Sequence, residues 1–143
     1  MSHPMNPKPI GKADVSKSLK EIETKFDGIV YNFGSNRKNR GSYVGKSDME
    51  IYYKGILTMV EIKVGTDKLS EKQIAYGLAI CSTPTVPYWI ADENNYLRLK
   101  ELILRNDRML LIAYKKEFQD ILLKEKKRLE VLEQKRKLKS LSK

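Results

Sequence analysis

The sequence predicts an α/β fold: a core of helix, strand, β-hairpin, helix and strand, followed by a long C-terminal helical tail. Three observations carry this. The apolar spacing alternates between about 3.6 and 2 residues along the chain. A Lys54-Gly55 pair separates two strand-like runs, and neither glycine nor proline occurs from Tyr96 to Lys143. Residues 1–11 read as a loose arm, 12–95 as the core and 96–143 as a basic helical extension.

Each element has its own cause. Met1 to Pro9 carries three prolines and no apolar stretch, which suits an arm and not a secretory signal. From Ala13 to Phe26, Val15, Leu19, Ile22 and Phe26 share one stripe, the spacing of an amphipathic helix. Ile29 to Phe33 is a short run of β formers. Gly34 to Ser47 reads as a basic loop holding Arg37, Lys38, Arg40 and Lys46. Asp48–Tyr53 and Ile56–Val64 are strand-like, and a two-residue loop ending in glycine suits a tight hairpin. Ser70 opens a helix carrying Ile74, Leu78 and Cys81; Thr83 to Pro87 breaks the chain, and Tyr88–Ala91 reads as a strand. In the tail, Leu111, Phe118, Leu122, Leu129 and Leu132 form an imperfect seam, interrupted at Glu125. The seam suggests a homodimer or a docked partner protein. Lys115 to Lys143 holds 11 Lys/Arg against 5 Asp/Glu.

Composition bounds the chemistry. The formal net charge of +10 favours a polyanionic partner, nucleic acid above all. No apolar run approaches the ~20 residues of a spanning helix. The single cysteine, Cys81, cannot form an internal disulfide, so the expected setting is intracellular, in cytoplasm or nucleus, and not secreted. With Cys81 and His3 as the only thiol and imidazole, no Cys/His zinc site or histidine-based triad can be assembled within the chain. Chemistry here must use carboxylates, lysines and metal cations drawn from solution.

The hairpin supplies such a set. A turn at Lys54-Gly55 puts Tyr53 opposite Ile56 and, continuing the register, Asp48 opposite Glu61. Directly opposed residues have Cβ atoms ~5 Å apart, where two carboxylates repel unless something offsets them. A divalent cation held by oxygen ligands would do so. The two-residue period places Lys63 on the face of Glu61, with Val60, Ile62 and Val64 directed into the core. The same charges also fit a solvated hairpin face, and Ser70-x-x-Gln73 also fits a capping box.

Gly45-Lys46-Ser47-Asp48, Val60-Glu61-Ile62-Lys63 and Leu69-Ser70-Glu71-Lys72-Gln73 together resemble the PD-(D/E)xK nuclease superfamily. The likeness is greatest to its VRR-NUC branch, which includes stand-alone phage and viral enzymes and domains of structure-selective DNA repair nucleases. Archaeal Holliday-junction resolvases share that core. The resemblance spans roughly Lys12 to Asn95 and implies a restriction-endonuclease-like fold. It implies that Asp48 and Glu61 bind Mg²⁺ or Mn²⁺ with the backbone carbonyl of Ile62, that Lys63 is the catalytic lysine, and that Gln73 supports the site. Arg37, Lys38, Arg40 and Lys46 would then contact nucleic acid. Two departures stand out: Ser47 occupies a position where the family prefers proline, and neither Asp14 nor Glu23 cleanly matches the acidic residue relatives supply from the first helix. The function expected is a metal-dependent nuclease hydrolysing DNA phosphodiester bonds, with branched or flap DNA and linear DNA both open as substrate. The alternatives are a nucleic-acid-binding module without catalysis and a helix-mediated interaction protein.

Overall fold

In the computed structural model, residues 9–33 and 47–142 are described. They form helix α1 (Lys12–Phe26), strands β1 (Ile29–Asn32), β2 (Met49–Tyr53) and β3 (Ile56–Ile62), helix α2 (Glu71–Cys81), strand β4 (Tyr88–Ala91), and helices α3 (Tyr96–Leu104) and α4 (Arg108–Leu141). The strands make one mixed sheet in the order β1-β2-β3-β4, antiparallel except for the parallel β3–β4 pair. The α/β class is as the sequence predicts. Among the described residues no helix is long and apolar enough to cross a membrane.

Local chemistry sets the boundaries. Asp27, at φ 62°, ends α1 in the left-handed conformation. Lys54 and Gly55 both have positive φ, 45° and 82°, the requirement of the mirror-image turn that matches strand twist. That turn fixes the register: Tyr53 pairs with Ile56 and Met49 with Val60, so the next residues outward are Asp48 and Glu61. β2 alternates buried Met49, Ile51 and Tyr53 with half-exposed Glu50 and exposed Tyr52.

β3 departs from the expected alternation. It is an inner strand, flanked by β2 and β4, and every residue from Thr58 to Ile62 is buried. The face carrying Glu61 is therefore covered and not a solvated hairpin surface. β3 also ends at Ile62, so Lys63 and Val64 lie just beyond it.

The helical region after Tyr96 also differs from a single tail. Asn106, at φ 56°, breaks it, and the Asp107 side chain then accepts from the Leu110 N–H to start α4. Leu99, Leu102 and Ile103 of α3 and Leu111, Phe118 and Leu122 of α4 belong to the same buried cluster as Val15, Leu19, Ile22, Ile51, Val60 and Trp89. Trp89 packs against the rings of Tyr114 and Phe118 at 4.9 and 4.8 Å between centroids. Lys100 reaches back to Glu21 of α1 at 2.6 Å and, together with Lys25, holds that carboxyl down at about 2. α3 and the first half of α4 are thus packed parts of the core.

Lys115 of α4 is buried and its Nζ donates to the carbonyls of Thr83 and Val86, at 2.6 and 2.8 Å, tying down the α2–β4 connection. Burial pushes its pKa down. Lys115→Met would leave both carbonyls without this donor, and a loss of about 2 kcal/mol is expected from denaturant unfolding. An unchanged unfolding midpoint would contradict that role.

Candidate active site

The site collects at one end of β3. Asp48 sits directly before β2 and Glu61 directly before the last residue of β3; both are buried, at 8% and 1% exposure. The main chain orients Asp48: its Oδ2 accepts the Ile62 N–H at 2.8 Å. Its Oδ1 accepts from Lys12 Nζ at 3.3 Å, in the first turn of α1. Glu61 Oε1 accepts from Gln73 Nε2 at 3.0 Å. The side chain of Gln73 does two jobs, because its Oε1 also accepts the Ser70 N–H at 2.9 Å. Ser70 Oγ in turn accepts the Gln73 N–H at 3.2 Å, completing the capping box. Helix capping and support of the site are therefore one arrangement.

Burial is the largest influence on Glu61. Desolvation, then the Asp48 charge, then the hydrogen bond with Asp48 push its carboxyl up to about 9, against the opposing charges of Lys63 and Lys12. At neutral pH, without another cation, Glu61 is accordingly held in its protonated form. Lys63 stands just past the strand, half-buried, with its N–H donated to Ala91 O at 2.9 Å. Among the described residues its ammonium makes no hydrogen bond or ion pair.

Two buried hydroxyls near these groups have no hydrogen-bond partner among the described residues: Ser47 Oγ, adjacent in sequence to Asp48, and Tyr88 Oη. Burial and then the Glu61 charge raise the Tyr88 phenol. Gly77 accommodates Tyr88, since a Cβ there would lie 2.7 Å from its hydroxyl oxygen.

The structure thus brings Asp48, Glu61, Ile62, Lys63 and Gln73 to one place. Arg37, Lys38, Arg40 and Lys46 lie outside the described residues. The two candidate first-helix acids have other partners. Asp14 Oδ2 accepts the Gly11 N–H at 2.8 Å, and Glu23 accepts the Val30 N–H at 3.1 Å while pairing with Lys20. What α1 delivers to the site is Lys12, which the sequence reading did not single out. No local pattern marks it; only the packing of α1 against the hairpin brings it to Asp48.

The donor set suits a hard divalent cation. Two adjacent carboxylates supply charged oxygens, and their buried repulsion is the condition such an ion relieves. Among the described residues no group of three His, Cys, Asp or Glu side chains could hold a metal ion. A cation here would complete its shell with backbone carbonyl oxygen and water, as Mg²⁺ commonly does. Compared with protein-family models, curated proteins and solved structures, the chain matches none.

Proposed function

We propose that this chain is a divalent-metal-dependent nuclease that hydrolyses DNA phosphodiester bonds on a restriction-endonuclease-like core. One observation carries the reading: Asp48 and Glu61 are buried side by side, with Gln73 bonded to one and Lys63, unpaired among the described residues, beyond the same strand. Two carboxyl groups buried side by side cost a fold stability, so their presence is better explained by chemistry than by packing.

Asp48 and Glu61, with the Ile62 carbonyl, would hold Mg²⁺ or Mn²⁺. When bound, the ion supplies Lewis acidity and a water of lowered pKa. The chain's own residues do the rest. The Ile62 N–H fixes the Asp48 carboxylate, and Gln73 fixes that of Glu61. Lys63 offers its ammonium to charge that develops on the phosphate. The net charge of +10 favours a polyanionic substrate.

A second reading has its own support. Lys12 rather than an acid reaches Asp48 from α1, and an ammonium there neutralises the pair without a metal. That arrangement fits a nucleic-acid-binding module without turnover. A panel of labelled junction, flap, duplex and single-stranded DNA, with Mg²⁺ or Mn²⁺, separates the two. Cleavage of junction or flap in preference to linear DNA is expected. Salt-sensitive binding with no product under either metal would favour the binding module.

A further inference from the structure

Helix α4 spans 34 residues, roughly 50 Å at 1.5 Å per residue, and only its first half is built into the core. Leu111, Phe118 and Leu122 are buried and Leu129 is half-buried. These four account for most of the seam legible in the sequence, so they are committed within the chain and not free for a partner helix. Continuing the same row outward, the next residues are Glu133, Arg136 and Ser140, which are polar. Leu132, the fifth member of the seam, is exposed at 49%, and Val131 and Leu138 are exposed too.

What the outer half presents instead is positive charge. From Lys124 to Lys139 there are eight Lys/Arg and three Glu. Arg128 is held by Glu125 at 2.9 Å and Arg136 by Glu133 at 2.6 Å, which occupies two of the three acids. Lys124, Lys127, Lys135 and Lys139 are exposed, and among the described residues none has a carboxylate partner. Lys124, Lys127, Arg128 and Lys135 line one shallow groove around Val131 and Leu132. Lys124–Arg128 and Lys135–Lys139 are like-charged pairs four residues apart, which weaken a helix. A second copy docked here would set positive charge against positive charge. A polyanion relieves the repulsion.

The opposite face of outer α4 is the one turned to α2. The first turn of α2 and outer α4 line a common groove, through Leu69, Ser70 and Glu71 on one side and Glu133, Arg136 and Lys137 on the other. That first turn of α2 carries Gln73, which donates to Glu61. None of Lys124, Lys127, Lys135 and Lys139 lines that groove; at about 100° per residue they stand on the far side of α4, turned to solvent. We propose that Lys124, Lys127, Lys135 and Lys139 of α4 dock the phosphate backbone of duplex DNA. The docking face does not rest on the nuclease reading. Contacts of this kind grip backbone and carry no base specificity.

The test is binding of a fluorescent duplex of about 20 base pairs in EDTA, titrated over salt, so that affinity is read without cleavage. The variant K124Q/K127Q/K135Q/K139Q is expected to lower the slope of log affinity against log salt by about 3 and to weaken binding at least tenfold. The matching Lys→Arg variant, which keeps charge and helix, is expected to retain the wild-type slope. An unchanged slope in the Gln variant overturns the proposal. So does an equal loss per lysine in K17Q/K54Q, which removes exposed charge elsewhere. Concentration-dependent dimerisation lost in the Gln variant would assign the face to a second copy, and tighter binding to phosphatidylserine vesicles than to duplex would assign it to a membrane; either overturns it. The slope change without any cleavage in Mg²⁺ would remove the nuclease reading and keep the docking face. Cleavage with an unchanged slope would do the reverse.

Discussion

Lys63→Ala is expected to slow Mg²⁺-dependent cleavage by roughly 10²–10³, the loss typical when one preorganised group that stabilises developing charge is removed. The backbone of residue 63 holds β4 through Ala91, and alanine retains that N–H. The ammonium has no hydrogen-bond or ion-pair partner among the described residues, so its removal breaks no folded contact. Stability is accordingly expected to move by less than about 0.5 kcal/mol. Single-turnover cleavage beside thermal unfolding separates the two effects. A variant that cuts at the wild-type rate, or one that fails to fold, would contradict this assignment.

Glu61→Gln is expected to abolish cleavage while making the metal-free protein more resistant to unfolding at alkaline pH. An amide is close in shape to the protonated acid, can donate to Asp48 and can still accept from Gln73. The folded-state pKa of Glu61 lies at about 9, above the unfolded value of 4.5. Between these values the folded chain binds a proton that the unfolded chain does not. Stability from this group is therefore fully present below pH 4.5 and is lost as pH rises through 9. Glutamine does not titrate, so the advantage of the variant should grow with pH by up to about 1.4 kcal/mol per unit across that window. Denaturant unfolding at several pH values in EDTA measures it. Parallel pH profiles for variant and wild type would refute the raised pKa of Glu61.

The legible features were those specified locally. Lys54-Gly55 determines a turn, the turn determines a register, and the register places Asp48 beside Glu61. Ser70 and Gln73 announce the start of α2 for the same local reason. The unread features were tertiary. Nothing in the Ile56–Ile62 segment says whether its second face meets water or a helix, because that depends on how α2 and α4 pack. Lys12 reaches Asp48 across 36 positions of sequence, and no periodicity encodes that contact. The break between α3 and α4 lacks glycine and proline, yet Asn106-Asp107 carried a usable signal. Asparagine tolerates the left-handed conformation, and aspartate caps a new helix.

The most direct test of the central claim is single-turnover cleavage of labelled branched DNA by wild type and Asp48→Ala, each with Mg²⁺ and with EDTA. The expected result is product from the wild type in Mg²⁺ alone. Absence of product from the wild type with Mg²⁺ or Mn²⁺, or equal product from Asp48→Ala, would contradict it.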